Sequence, residues 1–237
     1  MISVVVIGNG PSALKTRCGP KIDEFDVVVR LNNFRLQGYE EHVGSKTTIW
    51  ARNVNAGDVA TRDPNQFDEL LICPQLLELR WAAHLRWFSG LLPLTKLVKG
   101  VPNARVVPAE VVERVTREAG LSTGWVARGL LLQAALTIAG YRGVAWIIET
   151  AGFRFPSTGL IAIGYCIERY GHATIHGFDG LWEQEGEYFD PNKRVEQWKR
   201  RVHSTEAERR YILRQRNSGK LDYLVPESST GPLEDVG

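Results

Sequence analysis

Two stretches near the start of the chain decide the fold: ISVVVIGNGPSAL (residues 2–14) and EFDVVVRLNNF (residues 24–34). Each contains a run of β-branched residues, which is typical of a buried strand, and the first run ends in a glycine-rich turn that opens a predicted helix. A strand, a turn, a helix and a second strand in this order form a βαβ unit. The sequence therefore predicts an α/β fold that begins with parallel strands.

The same alternation continues along the chain. We predict further strands in KTTIWARN, ELLICP, ARVVP, GVAWII and GHATIHGF. Helices are predicted over residues 122–139, between GVAWII and GHATIHGF, near 192–201 and near 204–217. Together these elements predict a Rossmann-like single domain over residues 1–226, with a mostly parallel twisted sheet flanked by helices, and a loose tail over residues 227–237.

Composition narrows the class of protein. The 237 residues are 43% hydrophobic and 24% charged, which is ordinary globular composition and excludes disorder, collagen and coiled coil for the whole chain. A formal net charge of only +2 argues against a dedicated nucleic-acid binder, so no nucleic-acid partner is expected.

Several features indicate a cytoplasmic protein. The longest apolar runs fall far short of the roughly 20 residues that span a bilayer, and residues 2–7 follow Met1 without the regions of a signal peptide. Three cysteines, Cys18, Cys73 and Cys166, form neither a metal pattern nor an even disulfide framework, which suits a reducing compartment.

Positive charge is concentrated near the C-terminus. Such a run usually forms a solvated helical face, and the alternative is a rim for an anionic ligand or for lipid at the inner face of the membrane. The cluster consists of Lys193, Arg194, Lys199, Arg200, Arg201, Arg209, Arg210, Arg214, Arg216 and Lys220.

The glycine turn admits a dinucleotide site. Gly8, Gly10 and Ala13 satisfy G-x-G-x-x-A directly after a strand, a pattern that places a pyrophosphate on the following helix N-terminus. The acidic residue that should hold the ribose is missing at the end of the second strand, where Arg30 could accept a 2′-phosphate instead. An NADP- or FAD-binding oxidoreductase therefore stays as an alternative.

Two asparagines favour another ligand. Asn9 lies in the glycine turn and Asn32 at the end of the second strand, so both should reach the edge where open α/β sheets bind ligands. An amide both donates to and accepts from a pyrimidine or a ribose, which suits a nucleotide, whereas the alternative is that each asparagine only closes its own turn.

Four motifs in order resemble the sialyltransferase family. VVVIGNGPS, FDVVVRLNNF and GYEEHVGSKTTIW resemble the large sialylmotif of the animal-type enzymes, and the GNGPS turn is also similar to that of bacterial lipooligosaccharide sialyltransferases. PSTGLIAIGYCIERYGHATIHGFDG resembles the small sialylmotif, EYFDP the third motif, and HSTEAE the very small motif, in which a His is followed after four residues by a Glu. The resemblance implies a glycosyltransferase with a CMP-sugar donor.

The resemblance also implies a donor site. Ser157, Thr158 and Gly159 open a helix, and in the family this turn holds the phosphate of the CMP-sugar with amide and hydroxyl donors. Tyr188, in the third motif, is implied as a further phosphate ligand, although Glu187 stands where many members carry a His. Gly8, Gly10 and Gly177 are expected as supports. No Asp-x-Asp motif is present, so we expect neither a metal nor a cofactor.

His203 is the predicted catalytic residue. The resemblance makes it the general base that removes the proton of the acceptor hydroxyl, a task that suits an imidazole near neutral pH. Glu208 is expected to be a support only, since a helix would separate the two by roughly 1.4 turns. His176 is the reserve candidate for the base.

The chain lacks the cystine of the animal enzymes, and it contains an aromatic segment of open role. The positions of the family's cystine fall on Val4 and Tyr170, so that bridge cannot form, in agreement with a cytoplasmic protein. A Trp-rich segment over residues 79–97 is interpreted as core, interface, acceptor-side lid or membrane-surface patch.

The resemblance thus implies an inverting, metal-independent glycosyltransferase, which we expect to act in lipopolysaccharide or capsule biosynthesis. It would transfer a nonulosonic-type sugar acid, with sialic acid as the first choice and Kdo from CMP-Kdo as the alternative, to a glycan or glycolipid acceptor. Peripheral membrane association is expected as an option, and a non-catalytic nucleotide-binding module is the remaining alternative.

Overall fold

A parallel sheet organises the chain. The computed structural model describes residues 2–53, 62–73, 101–121, 154–178, 186–190 and 203–224. Within them the strands are β1 (Val4–Ile7), β2 (Val27–Leu31), β3 (Ile49–Arg52), β4 (Glu69–Ile72), β5 (Ala104–Val106), β6 (Ala173–His176) and β7 (Leu221–Tyr223). They pair in the order β5-β4-β3-β2-β1-β6-β7, and every pairing is parallel.

The strand order creates a topological switch point. From β1 the sheet grows in one direction through β2 to β5, and the chain then returns to place β6 on the other side of β1, with Val6 beside Ile175. In open α/β sheets, ligands bind outside the carboxyl ends of the strands at such a point. The strand order therefore predicts a ligand site at the carboxyl ends of β1 and β6.

Helices cover both faces of the sheet. The helices are α1 (Gly19–Asp23), α2 (Glu40–Val43), α3 (Ala109–Glu118), α4 (Thr158–Tyr170) and α5 (Thr205–Asn217), with 3-10 turns at Pro11–Leu14 and Pro64–Gln66. The main core packs α3, α4 and α5 against one face. Their contact is close at Gly164, where a Cβ atom would lie 2.2 Å from Val115 Cγ2 and 3.1 Å from the Tyr211 hydroxyl.

The predicted fold class is confirmed, and its details differ in three places. The helix expected directly after the glycine turn is wrong, because the chain forms only the 3-10 turn Pro11–Leu14 before the short α1. Helix α3 and strand β7 were not predicted. The predicted elements over 122–139, 143–148 and 192–201, the Trp-rich segment 79–97 and the tail 227–237 lie outside the described residues.

Candidate active site

The glycine turn is locked against the end of β6. Gly8 donates its backbone N–H to the His176 carbonyl at 2.7 Å, and Gly10 donates to the Gly177 carbonyl at 2.9 Å. A Cβ atom on Gly8 would lie 2.2 Å from the Gly177 oxygen, so only glycine permits this approach. Both amides are therefore occupied by protein carbonyls at the position where a dinucleotide fold would direct them to a pyrophosphate.

Asn9 holds the turn at the end of β2. Its Nδ2 donates to the carbonyls of Leu31 at 3.1 Å and Asn33 at 2.8 Å, which flank Asn32 on either side. Asn32 has a φ of 46°, a left-handed conformation that asparagine tolerates better than most residues. Its Oδ1 accepts from the backbone N–H of Asn53 at 3.2 Å. The predicted pair thus lies together at the carboxyl edge, and both side chains bridge neighbouring strands rather than closing only their own turns.

The small-motif turn opens helix α4 at the same edge. Ser157 is the N-cap, and its hydroxyl oxygen accepts from the Leu160 backbone N–H at 3.2 Å. Thr158 is buried, and a Cβ on Gly159 would lie 2.8 Å from the Phe178 ring and 3.1 Å from Leu31 Cδ1. The glycine lets the helix start come close to the ends of β2 and β6, which brings the predicted donor residues of the large and the small motif to one place.

His203 contacts the chain just before this turn. Its Nδ1 lies 3.0 Å from the Phe155 carbonyl oxygen, an arrangement that requires a proton on Nδ1. In the neutral ring Nε2 is then the basic nitrogen. The residue is half-buried and directly precedes Ser204, whose hydroxyl caps α5 by accepting from the Ala207 N–H at 3.2 Å.

The buried Glu208 carboxyl forms a hydrogen bond with the turn that opens α4. The carboxyl is 5% exposed, and Oε1 accepts from the Ser157 backbone N–H at 3.2 Å. Burial raises the pKa of Glu208 to about 7, although hydrogen bonds from Ser157 act in the opposite direction. His203 and Glu208 therefore both hold the segment 155–157, and the Ser157 amide is engaged by this carboxyl.

The third motif packs into the same region. The Tyr188 backbone N–H donates to the Asn9 carbonyl at 2.9 Å, and its buried hydroxyl donates to the Arg35 carbonyl while accepting from the Arg35 N–H at 3.2 Å. Burial raises the pKa of this phenol. Tyr188 is thus next to the predicted donor site, with its hydroxyl used by the protein backbone.

Two basic residues considered from the sequence have structural partners. His176 is buried, with Nε2 3.3 Å from the Ala13 carbonyl, so its side chain joins β6 to the glycine turn. Arg30 is fully buried and donates to the carbonyls of Val43 at 2.7 Å and Lys46 at 2.9 Å. Because these bonds hold the Arg30 guanidinium against residues 43–46, which precede β3, it is not directed at a ribose at the carboxyl edge of the sheet.

The described residues contain no candidate metal cluster, no candidate membrane span and no disulfide. No group of three or more His, Cys, Asp or Glu side chains in them could hold a metal ion. None of the helices in this part of the chain is long and apolar enough to cross a membrane. The three cysteines are buried thiols.

An aromatic and arginine-rich corner was missed by sequence reasoning. The rings of Phe34 and Trp50, at β2 and β3, carry arginines on their faces, and the Arg62 guanidinium carbon lies 3.9 Å from the Phe34 ring centroid. In the sequence, Arg52 follows Trp50 by two residues, but an arginine this close to an aromatic residue is common and does not indicate a site. Arg62 lies 28 positions from its partner Phe34, so the sequence does not indicate that the two residues are in contact.

Comparisons with known proteins agree with the resemblance of the first part of the chain, which holds the large motif. Residues 1–85 match the family model described as glycosyltransferase family 29 (sialyltransferase). A rat protein named CMP-N-acetylneuraminate-beta-galactosamide-alpha-2,3-sialyltransferase 4 is 41% identical over 95 residues, which is 40% of this chain and 27% of that protein. Rat lactosylceramide alpha-2,3-sialyltransferase is 53% identical over 45 residues, 19% of this chain and 12% of the relative.

The match to solved structures extends further along the chain. A crystal structure of a mammalian sialyltransferase superposes with a TM-score of 0.51 at 18% identity, covering 94% of this chain and 68% of that one. The sequence matches span at most about a quarter of the curated relatives described above. The first 85 residues thus match the sialyltransferase family model, and the fold over most of the chain resembles that of a mammalian sialyltransferase.

Proposed function

We propose that this protein is a glycosyltransferase that moves a sialic acid from CMP-sialic acid to a hydroxyl of a glycan or glycolipid. The observation that carries the proposal is the meeting of three motifs at the switch point. His203 lies 3.0 Å from the Phe155 carbonyl, and Glu208 accepts from Ser157 at 3.2 Å, so the candidate base is tied to the turn proposed to hold the leaving phosphate. The names of the relatives, which are alpha-2,3-sialyltransferases, support the donor.

The proposed chemistry is a single displacement. His203 Nε2 takes the proton of the acceptor hydroxyl, because Nδ1 already donates to the Phe155 carbonyl. The acceptor oxygen forms a bond to the anomeric carbon as the bond from that carbon to the phosphate oxygen of CMP breaks. Attack from the face opposite the leaving group inverts the anomeric configuration.

We propose that CMP leaves without the help of a divalent ion. The departing group is one phosphate, which amide and hydroxyl donors at the start of α4 can stabilise, with Thr158 and Gly159 in the proposed role. Asn9 and Asn32 would hold the nucleoside. The absence of an Asp-x-Asp motif from the sequence supports the proposal.

The donor sugar is tested directly by turnover. CMP-sialic acid and CMP-Kdo share an anomeric carboxylate, so residues that hold CMP do not distinguish them. We expect transfer from CMP-sialic acid to a galactose-terminated acceptor and little from CMP-Kdo. The reverse preference would assign a Kdo transferase, and a role in lipopolysaccharide or capsule synthesis would fit either sugar.

An oxidoreductase remains testable by ligand binding. The engaged amides of Gly8 and Gly10 and the absence of a long helix after them argue against a pyrophosphate site in the glycine turn. Because a ligand that binds the folded state raises its melting temperature, CMP, CDP, NADP and FAD should be compared. CMP should stabilise the protein. Stabilisation by NADP or FAD alone would contradict the proposal, and CMP binding without transfer would indicate a non-catalytic module.

We further propose a cytoplasmic enzyme that works at the inner face of the membrane. The exposed side of α5 presents Arg209, Arg210 and Arg214 around Leu213, which is 40% exposed. Such a face is attracted to anionic lipid. Co-sedimentation with vesicles containing phosphatidylglycerol, at low and high salt, tests this association. No binding at low salt would contradict it.

A further inference from the structure

Three arginines surround two aromatic rings on the face of the sheet opposite the main core. Arg62 stacks on Phe34 at 3.9 Å from the ring centroid and lies 6.0 Å from that of Trp50. Arg52 lies 5.0 Å from the Trp50 ring, and Arg30 lies 5.7 Å from that of Phe34. We call these five residues the arginine cluster.

Two members of the arginine cluster, Arg30 and Arg62, are only weakly compensated in charge, since Asp23 acts on Arg30 from beyond ion-pair distance. No carboxylate among the described residues lies within ion-pair distance of Arg30 or Arg62. Arg30 is fully buried, and its Nη1 has no hydrogen-bond partner in the described structure. Burial lowers the pKa of both guanidinium groups. Buried cations are normally paired, since an unpaired one is costly, and an anionic ligand bound at the more accessible Arg62 would compensate the positive charge of both guanidinium groups.

A purely structural role leaves most of the Arg62 donors unexplained. One N–H of its Nη2 donates to the Phe34 carbonyl, and the side chain is half-buried. This bond fixes the plane of the guanidinium, and its remaining N–H groups can still form the paired hydrogen bonds that a carboxylate or a phosphate accepts.

The arginine cluster is attached to the proposed donor site. The Trp50 indole N–H donates to the Asn32 carbonyl at 2.7 Å, and Phe34 follows Asn32 by two residues. Arg52 precedes Asn53, whose backbone N–H donates to the Asn32 side chain. An acidic group bound at Arg62 would therefore adjoin a nucleotide held by Asn32.

We propose that the arginine cluster binds an acidic group of the substrate, a carboxylate or a phosphate, through Arg62. The inference rests on the proposed function, since it assigns a further part of the same substrate site. The acidic group has two possible sources: the carboxylate of the donor sugar, or an acidic substituent on the acceptor glycan. A carboxylate and a phosphate each present two oxygens that can accept paired hydrogen bonds from a guanidinium.

The test replaces Arg62 by Gln and uses Arg17→Gln as the matched control. Arg17 has a 76% exposed side chain and pairs with Glu41 at 3.1 Å, so it reports the loss of an arginine outside the arginine cluster. Calorimetry with CMP and with CMP-sialic acid separates the nucleotide from the sugar. If Arg62 binds the carboxylate of the donor sugar, Arg62→Gln leaves the affinity for CMP unchanged and lowers the affinity for CMP-sialic acid by tenfold or more.

The acceptor arm uses neutral and phosphorylated forms of one acceptor glycan. If the acceptor supplies the acidic group, Arg62→Gln preserves CMP-sialic acid affinity and raises KM for the phosphorylated acceptor alone. Equal loss of CMP affinity in the variant, or behaviour in both arms identical to that of Arg17→Gln, would overturn the proposal. If Arg62→Gln does not fold, Arg62→Lys keeps the charge without the fork and should show a smaller loss in the same arm.

Inorganic phosphate separates failure of the site from failure of the proposed function. We expect native protein to bind phosphate weakly, as measured by NMR titration, and Arg62→Gln to lose this binding. Phosphate binding that depends on Arg62 in a protein with no affinity for CMP would uphold the arginine cluster and reject the proposed function. If the native protein binds CMP and Arg62→Gln changes neither donor, acceptor nor phosphate binding, the proposed function stands and the role of the arginine cluster is rejected.

Discussion

The buried carboxyl of Glu208 gives the sharpest test of the site architecture. Replacing it by Gln keeps the size of the side chain and an oxygen that can accept from the Ser157 N–H at 3.2 Å. The substitution removes only the ability to carry a negative charge. Any change in stability that varies with pH therefore reports the ionisation of this group.

The expected magnitude follows from the pKa. Burial raises the pKa of Glu208 from 4.5 to about 7, so the folded protein retains a proton that the unfolded chain releases. This contribution to stability is fully present below pH 4.5 and is lost as the pH rises to about 7. At roughly 1.4 kcal/mol for each tenfold change in proton affinity, the free energy of unfolding falls by about 3 kcal/mol across that window.

Urea unfolding at pH 5 and pH 8 measures the effect. We expect Glu208→Gln to resemble the native protein at pH 5 and to be more stable at pH 8, by up to about 3 kcal/mol. Taking the difference between variant and native protein at each pH cancels the titration of all other groups. Donor binding should persist, because the Gln oxygen still accepts from Ser157.

Glu206→Gln is the control on the same helix turn. Glu206 has a 72% exposed side chain and pairs with Arg210 at 3.5 Å, so its loss should destabilise the protein slightly at pH 8. The two variants are thus expected to change stability in opposite directions. If Glu208→Gln has the same effect at pH 5 and pH 8, the carboxyl does not retain its proton in the folded protein, and the reasoning from its burial is refuted.

Four other outcomes follow from the site and the fold. His203→Ala should lower turnover by about 10² to 10⁴-fold and abolish the rise of the pH profile near the imidazole pKa, while CMP affinity by calorimetry stays unchanged; normal turnover would remove His203 from the chemistry. Ser157→Ala combined with Thr158→Ala should weaken CMP binding and slow transfer, and native values would mean that the phosphate lies elsewhere. Gly8→Ala should lower the melting temperature strongly because its Cβ would lie 2.2 Å from the Gly177 oxygen, and a native melting curve would refute that close approach. Addition of EDTA should leave transfer unchanged, whereas loss that magnesium or manganese restores would reveal a metal requirement.

Elements with strong local patterns were predictable from the sequence. Strands β1 and β2 are largely buried on both faces, and each begins with three consecutive valines. Helix α4 has a Ser N-cap and ends before Gly171, which has a φ of 83°. Helix α3 was missed although Val111, Val112 and Val115 share one buried face, because β-branched residues also favour strands. Strand β7 has only three residues, too few for a periodic signal.

The partners of the site residues were not predictable, because most of them are backbone carbonyls. Tyr188 donates to the Arg35 carbonyl, Arg30 to that of Val43, and Gly8 to that of His176. Every residue carries a carbonyl, so a motif does not show which donors the protein itself uses. From sequence alone, Tyr188 was expected to bind a ligand and Gly8 to support the site. In the structure, both residues instead donate hydrogen bonds to backbone carbonyls of the protein.

The relation of His203 to Glu208 depends on where helix α5 begins. Counting both residues inside one helix separates them by roughly 1.4 turns and argues against a shared face. In the structure α5 starts at Thr205 with Ser204 as its N-cap, so His203 lies one residue before the cap and Glu208 is the fourth helical residue. These two positions are neighbours across a helix start, as in the hydrophobic staple. The interval of four residues between them therefore brings an imidazole and a carboxyl to the same segment, residues 155–157, and the spacing of the very small motif follows from helix capping geometry.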